Sequence, residues 1–453
     1  MKNIKKWGFS LRAIEVDTRH LFKDLNPGGI ERKEVESFWP KGQRALWNVQ
    51  TKRNQGELPF LDLPYRKDTE EILENSKDLS LKFDPVVVLG IGGSCLAPQA
   101  IAHFTFHPWM LLESKAGPNG PKVFFLDNVD PSTCQKALEE AREGNPLVLA
   151  ISKSGSTLET LSQLLLFLKA LKDRFQDWKE RLVIITDPKR GPLRELAEKE
   201  CLKSFPIEEG VVGRYSALSA VGLVPSVALG INAEELLLGA IEADRWIREE
   251  EGGVALEVAM SLFLLHKNYG KPIWITLIYG DGLFPLGFWR NQLVGESLGK
   301  REDLAPTPMV SRGTTDQHSQ LQLWLEGPKD KVFTVLGLKE YPSLKLPEEF
   351  PRDETYCLWG KEMGEILLSE KKATEFVLEE KGCPFYRINL QNSIKALGAL
   401  FFLWELEVLL LGEFYGIDPL TQPAVERGKR LTWGILGRKG FEKERKEIES
   451  WEK

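Results

Sequence analysis

An alternation of short apolar runs with longer helical segments limits the possible folds of this sequence more than any other feature. From about residue 85, each run is followed by a turn and then by a helix-like stretch such as residues 158–172. The runs are residues 86–89, 123–126, 147–151 and 182–186. Because continuous apolar strands are buried on both faces, this pattern predicts a parallel sheet covered by helices on both sides.

A second round of the same alternation begins near Pro272 and continues through residues 332–336 and 385–390. The sequence therefore predicts an α/β protein with two doubly wound, mainly parallel sheets flanked by helices. We expect a helical lead-in, a first α/β domain, a second α/β domain and a C-terminal helical segment. Their predicted limits are residues 1–60, 61–235, 236–415 and 416–453.

Charge and composition exclude several classes of partner. The 60 Lys and Arg residues are balanced by 66 Asp and Glu residues, without a basic stripe, so we expect no nucleic acid partner. The apolar stretch 397–411 contains Glu405 and Glu407 and is shorter than the ~20 residues of a membrane span, which predicts a buried helix. Five cysteines without a CxxC pair, and no apolar segment behind the N-terminal lysines, favour a cytoplasmic protein without structural zinc.

A cluster of hydroxyl side chains follows the third apolar run. The segment ISKSGSTLET places several polar residues between the end of a strand and the start of a helix, namely Ser152, Lys153, Ser154, Ser156 and Thr157. Hydroxyl groups and free backbone amides at the start of a helix suit a phosphate monoester. The alternative is an elaborate helix cap, although a cap needs one hydroxyl and not four.

A glycine-rich turn, GIGGS, follows the first apolar run and includes Gly93 and Ser94. Its amides could hold an anion at the start of the next helix. A dinucleotide-binding fingerprint would need glycine at Cys95, and no phosphate-loop lysine follows. A purely structural turn is the alternative.

Four further residues are candidates for proton transfer or charge stabilisation. Arg214 is the sole charged residue in the stretch 211–231, so it needs either an ion-pair partner or an anionic ligand. Glu296 lies among small residues in GESLGK, and His318 lies in the polar segment TDQHSQ. Lys429 is two helical turns after Gln422, so the two can share one helix face. Surface or capping roles remain open for each of them.

Taken together and in this order, these segments resemble the glucose-6-phosphate isomerase (phosphoglucose isomerase) family, which is built from a pair of sugar-isomerase (SIS) domains. The resemblance spans residues 86–437, and its most specific motifs are ISKSGSTLET, GESLGK, TDQHSQ and QPAVERGK. It implies a reversible conversion of glucose 6-phosphate to fructose 6-phosphate without metal or organic cofactor. The resemblance further implies ring opening followed by proton transfer through a cis-enediol intermediate, with the C-terminal helical segment contributing to the active site.

The resemblance also implies a role for each matching residue. Glu296 moves the proton between C2 and C1, His318 and Lys429 serve the ring end of the substrate, and Arg214 stabilises the enediolate. Positions matching the substrate-binding residues of the family are Gly93, Ser94, Ser152, Lys153, Ser154, Thr157 and Gln422. Subunits of the family form a symmetric dimer, so we expect a homodimer in which His318 reaches into the neighbouring subunit's site.

The sequence departs from the family pattern at four positions. The family usually has Gly at the positions of Val212 and Ala424, an aromatic residue at that of Leu420, and Asp or Asn at that of Thr421. None of these changes removes a proposed proton-transfer group. A side activity on mannose 6-phosphate stays open. So does a non-catalytic sugar-phosphate sensor, which would need the hydroxyl cluster but not the four candidate catalytic residues together.

Overall fold

The computed structural model describes residues 9–10, 13–106, 120–348 and 356–451, so the lysines at the start of the chain lie outside the described residues. The strands are β1 Phe9–Ser10, β2 Ile14–Asp17, β3 Val86–Leu89, β4 Val123–Leu126, β5 Leu147–Ser152, β6 Leu182–Thr186, β7 Ser204–Pro206, β8 Ile273–Tyr279, β9 Thr307–Gly313, β10 Lys331–Leu338 and β11 Phe385–Leu390.

The described α-helices connect and flank these strands. They are α1 Arg32–Asn54, α2 Lys67–Ser76, α3 Gly93–Phe106, α4 Pro131–Glu143, α5 Leu158–Arg174, α6 Pro192–Glu200, α7 Ala220–Ala228, α8 Ala233–Glu249, α9 Gly253–Tyr269, α10 Phe284–Leu298, α11 Leu321–Glu326, α12 Met363–Glu380, α13 Ile394–Tyr415, α14 Val425–Ile435 and α15 Glu442–Trp451. No helix in the described ranges is long and apolar enough to cross a bilayer.

The first sheet is parallel throughout and has the strand order β4-β3-β5-β6-β7. All residues of β3 and β5 are buried, as expected for apolar strands covered on both faces. The chain order reverses between β3 and β5, which pair through Leu89 and Ala150. The loops that follow these two strands therefore lie side by side at the carboxyl edge, where doubly wound sheets bind ligands.

The second sheet has the order β1-β2-β11-β10-β8-β9, and its last four strands are parallel. The predicted fold class, with two mainly parallel sheets flanked by helices, is thus confirmed. Strand β2 is the difference from expectation, because it lies in the lead-in that the sequence predicted to be helical and pairs antiparallel with β11. Ile14, Val16 and Asp17 of this strand are buried and Glu15 is exposed, so four residues show no complete alternation that could outweigh the helical signal of α1.

Helix α13 is the buried helix that the sequence predicted around residues 397–411. Every residue from Ala396 to Gly412 is buried, and the helix packs mainly against α8, α9 and α10. The buried Glu407 carboxylate accepts a hydrogen bond from Arg290 at 2.9 Å, which compensates one of its two internal charges.

The C-terminal segment forms a helical hairpin of α14 and α15. The two helices approach closely at Gly434, where a Cβ atom would lie 2.8 Å from the backbone nitrogen of Arg445. Arg430 forms an ion pair with Glu444 across the hairpin. Most side chains of α14 are exposed, so this hairpin lies at the surface of the chain. The domain limits given above stay a prediction.

Candidate active site

The hydroxyl cluster lies at the carboxyl end of β5, in the loop before α5. Ser152 Oγ and Thr157 Oγ1 are 2.7 Å apart, and Ser154 Oγ accepts a hydrogen bond from the Ser156 amide at 3.2 Å. Gly155, with φ +64°, makes the sharp turn between them. Thr157 occupies the cap position of α5 but makes no side-chain capping bond. The capping alternative therefore does not account for these hydroxyl groups.

Lys153 in the same loop is half-buried, and it forms no ion pair or side-chain hydrogen bond with the residues that the structure describes. Burial of its ammonium group lowers the pKa of Lys153 below the ordinary value, while the more distant Asp187 and Glu209 act in the opposite direction. An unpaired ammonium beside several hydroxyl groups is a suitable contact for an anionic ligand.

The GIGGS turn joins this edge to Arg214. Gly93 begins α3, and a Cβ atom at this position would lie 2.1 Å from the carbonyl carbon of Gly213 and 2.7 Å from the Arg214 nitrogen. Such distances exclude any larger residue unless the backbone moves. Ser94 follows in the first turn of α3, whose free amides face the same edge of the first sheet.

Arg214 is fully buried and lies in the short 3₁₀ turn Gly213–Tyr215. Its Nη1 donates hydrogen bonds to Glu296 Oε2 at 2.9 Å and to Gln422 Oε1 at 2.8 Å. Its Nη2 donates to the carbonyl oxygens of Pro419 at 2.5 Å and Thr421 at 3.3 Å. The ion-pair alternative for Arg214 thus applies, and its partner is the predicted base itself.

Glu296 lies in the last turn of α10, and its side chain is 32% exposed. While Oε2 accepts from Arg214, Oε1 accepts from Gln292 Nε2 at 2.9 Å. Gln292 also meets the GIGGS turn, because a Cβ atom on Gly92 would lie 2.7 Å from Gln292 Nε2. The structure therefore brings Glu296 to the edge that carries the hydroxyl cluster.

Gln292 is a site residue that the sequence analysis missed. The available signal was its spacing, since Gln292 and Glu296 are four residues apart and lie on one face of α10. The backbone carbonyls of Pro419 and Thr421 were also missed, and no side-chain pattern could have indicated them because any residue carries a carbonyl oxygen.

The departures from the family pattern leave this geometry intact. Val212 is extended at φ −86° and Ala424 is helical at φ −62°, so neither position requires glycine. Thr421 contributes its carbonyl oxygen, which also accepts a hydrogen bond from Lys300, and this contact does not depend on the side chain at 421. Leu420 is partly buried against the core.

His318 and Lys429 are not brought into this cluster within one chain. His318 ends the 3₁₀ turn Thr315–His318 after β9, is exposed, and makes no hydrogen bond or ion pair with the described residues. Lys429 is exposed on α14 and pairs with Glu426 at 2.8 Å. Neither side chain makes a hydrogen bond or ion pair with Arg214 or Glu296 in the part of the chain that the structure describes.

The assembled groups suit proton transfer next to a phosphate. A carboxylate that can accept a proton, a buried cation in contact with it and a hydroxyl-lined edge with an unpaired lysine lie together. Among the described residues, no group of three or more His, Cys, Asp and Glu side chains could hold a metal ion.

Comparison with known sequences identifies the family of this chain. The model of the phosphoglucose isomerase family matches residues 78–329. A glucose-6-phosphate isomerase of Carboxydothermus hydrogenoformans is 37% identical over 96% of this chain and 97% of that protein. The glucose-6-phosphate isomerase of Thermus thermophilus is 36% identical over 92% of this chain and 98% of its own length.

Solved structures share the fold of this chain. The crystal structure of a hypothetical protein from Thermus thermophilus has a TM-score of 0.82 and 34% identity, and the match covers 94% of this chain and 100% of that chain. The crystal structure of a glucose-6-phosphate isomerase from Chlamydia trachomatis has a TM-score of 0.80 at 20% identity, over 99% and 93% of the two chains. At that identity the second match shows a shared fold alone. With more than half of its residues matched by the family model and relatives above one-third identity over nearly its whole length, this chain belongs to the phosphoglucose isomerase family.

Proposed function

We propose that this protein is an aldose-ketose isomerase that interconverts glucose 6-phosphate and fructose 6-phosphate through a cis-enediol intermediate. The observation that carries the proposal is the contact of Arg214 Nη1 with Glu296 Oε2 at 2.9 Å, which joins a fixed cation to a candidate base. The names of its relatives in Carboxydothermus and Thermus support the same substrate pair.

In this proposal the phosphate of the substrate binds at the edge of the first sheet. The contacts are made by Gly93, Ser94, Ser152, Lys153, Ser154 and Thr157, with Gln422 next to the sugar. The half-buried Lys153 would gain an anionic partner there, which offsets the cost of holding its ammonium away from water. The ring-opened sugar then extends from this edge toward Glu296.

Glu296 acts as the base once the substrate is an open-chain aldehyde. One carboxylate oxygen removes the proton from C2, the electron pair forms the C1–C2 double bond, and negative charge collects on O1. A proton passes from the O2 hydroxyl to O1 by way of the cis-enediol, and Glu296 then returns its proton to C1 while the electron pair on O2 forms the C2 carbonyl, which gives the ketose. Each Glu296 oxygen accepts one hydrogen bond in the free protein and keeps a second lone pair for this proton. Proton transfer by a positioned group contributes about 10²- to 10⁴-fold to the rate.

Arg214 stabilises the charge of the enediolate. Its side chain is fully buried, so its field is weakly screened and its position does not change during the reaction. Removing one donor of this kind from an active site typically lowers kcat by about 10²- to 10³-fold.

We further propose a cytoplasmic homodimer in which His318 serves the neighbouring subunit's site and assists ring opening, with Lys429 beside it. This part is supported by the exposure of both side chains and by the absence of any bond from His318 to the described residues of its own chain. In such a dimer, one working site takes Glu296 and Arg214 from one subunit and His318 from the other.

The activity is tested by supplying fructose 6-phosphate without added metal and following glucose 6-phosphate with a coupled dehydrogenase. We expect turnover for the native protein and its loss in Glu296→Gln, while the variant still binds a sugar-phosphate inhibitor. Absence of turnover in the native protein would leave the sensor alternative standing. The same assay with mannose 6-phosphate measures the possible side activity.

The shared site is tested by mixing inactive His318→Ala and Glu296→Gln subunits. A hybrid dimer has one site that contains both an intact Glu296 and an intact His318, so activity should reappear after subunit exchange. Hybrids without any activity would contradict the sharing of His318 but not the isomerase reaction.

A further inference from the structure

Behind Arg214 lies a buried pair of hydroxyl groups that the proposed reaction does not use. Arg214 Nε donates a hydrogen bond to Ser297 Oγ at 2.7 Å, and Ser297 Oγ lies 3.2 Å from the hydroxyl of Tyr215. Ser297 and Tyr215 are each 0% exposed. The Ser297 hydroxyl therefore contacts Nε of the arginine, whereas the Glu296 carboxylate contacts Nη1.

The arrangement of Ser297 differs from that of an ordinary serine inside a helix. Such a serine commonly donates its hydroxyl proton to the carbonyl oxygen four residues earlier, as Ser226 does to Gly222 at 2.6 Å in α7. The Ser297 hydroxyl instead lies between Arg214 Nε and the Tyr215 hydroxyl. Its hydrogen-bonding capacity is committed to these two groups rather than to its own helix.

The Nε contact sets the direction of the whole guanidinium group. Because this group is planar and rigid, an anchor at Nε determines where both terminal nitrogens lie. With Nε on Ser297, Nη1 meets Glu296 and Gln422. Loss of the Ser297 hydroxyl would leave a buried N–H without an acceptor, and the guanidinium would rotate to recover one.

A buried carboxyl group lies in the same layer as Tyr215. Glu405 on α13 is 1% exposed, and its Oε1 has no hydrogen-bond partner among the residues that the structure describes. Burial raises the pKa of Glu405 well above the ordinary range, and Glu405 in turn contributes to the raised pKa of Tyr215, whose main cause is burial. Among the described residues, Glu296 is the carboxylate that forms an ion pair with Arg214.

We propose that Ser297 and Tyr215 are positioning residues that hold the Arg214 guanidinium in the orientation required for contact with Glu296 and the enediolate. This inference rests on the proposed isomerase function. Neither residue contacts the substrate in this scheme, and both act through Arg214. Ser297 holds Nε directly, while Tyr215 fixes the orientation of the Ser297 hydroxyl.

The test compares Ser297→Ala and Tyr215→Phe with Ser226→Ala, which removes an equally buried helical hydroxyl away from the site. We expect Ser297→Ala to lower kcat by about 10- to 100-fold, because small displacements of a positioned group have effects of this size, with KM changed by less than about threefold. Tyr215→Phe should have a smaller effect in the same direction. Ser297→Thr, which retains the hydroxyl, should recover part of the loss, and Ser226→Ala should keep the native kcat.

Two further measurements separate positioning from loss of structure. Thermal denaturation reports whether Ser297→Ala and Ser226→Ala lose similar stability. The second measurement compares kcat and KM of Ser297→Thr with those of Ser297→Ala, because a hydroxyl group that positions Arg214 should restore kcat while KM stays unchanged. Native kcat in Ser297→Ala, or an equal loss in both alanine variants, would overturn the proposal.

A measurement that does not depend on catalytic turnover distinguishes a failure of the positioning role from a failure of the proposed isomerase function. In the native protein, the Arg214 Nε–H is buried and hydrogen-bonded, so its nuclear magnetic resonance signal should exchange slowly with water. The signal is assigned by its loss in Arg214→Lys. It should exchange rapidly in Ser297→Ala and slowly in Ser226→Ala, whether or not the protein turns over fructose 6-phosphate. Slow exchange in Ser297→Ala would refute the positioning role.

Discussion

Replacing Glu257 by glutamine should make the stability of this protein less dependent on pH. Glu257 lies on α9 beneath the N-terminal strand β2, and its Oε1 accepts a short hydrogen bond from the Thr18 hydroxyl. Burial raises the pKa of Glu257 to about 7, while Thr18 and Arg32 lower it and Asp17 raises it further. In the folded protein this carboxyl group therefore holds a proton well above its ordinary range.

The size of the effect follows from the difference between the two states. The pKa rises from 4.5 in the unfolded chain to about 7 in the folded protein. At 1.36 kcal/mol per pH unit, this corresponds to about 3 kcal/mol. Because the pKa is raised in the folded protein, the contribution of Glu257 to the free energy of unfolding is fully present below pH 4.5 and is lost as the pH rises to 7. Above pH 7 the folded protein contains a buried negative charge, and its stability is reduced by the full amount.

The assay is urea denaturation of the native protein and Glu257→Gln at several values between pH 5 and pH 8.5. Glutamine keeps the oxygen that accepts from Thr18 and carries no charge, so the variant should gain stability relative to the native protein as the pH rises. The difference in free energy of unfolding between Glu257→Gln and the native protein should change by up to about 3 kcal/mol over this range. Glu249→Gln removes the same charge from an exposed position and serves as the control. A difference that stays constant over this range would refute the reasoning.

Three other changes test the packing and the site. Gly93→Ala should destabilise the protein by about 1 to 3 kcal/mol and lower kcat, since its Cβ would lie 2.1 Å from the backbone of Gly213; melting curves and the coupled assay check this. Glu407→Gln should lower the free energy of unfolding by about 3 to 5 kcal/mol, because it leaves the buried Arg290 charge unpaired. The double variant with Arg290→Met should lose less stability, and urea denaturation measures both. Lys153→Met should raise the KM for fructose 6-phosphate without lowering the melting temperature, because the lysine has no partner among the described residues; a native KM would contradict the phosphate contact.

Local sequence patterns were sufficient for most strands of the two sheets, but they did not indicate β7 or β9. The strands β3, β4, β6 and β11 have the predicted limits, and β5 extends by one residue to Ser152. The apolar residues of β3, β5 and β6 are buried on both faces, so composition and position agree there without help from distant parts of the chain. The lead-in was less predictable, because β2 is stable as a strand through its pairing with β11, which follows it by more than 370 residues.

The sequence by itself determined which groups are available for chemistry. Motifs identified Arg214, Glu296 and the hydroxyl cluster, since these residue types at the ends of strands and helices are typical of anion binding and proton transfer. The tertiary structure decided which of them meet. It placed Glu296 against Arg214 and Gln292, and it left His318 exposed on its own chain.

The physical reason is the range of the interactions. Apolar periodicity and turn residues act over a few neighbours, so they can be read along the chain. The contacts of Arg214 with Ser297 and Gln422 join residues 83 and 208 positions apart, and they depend on the packing of α3, α10 and the loop after α13. Long-range packing of this kind leaves no local pattern in the sequence.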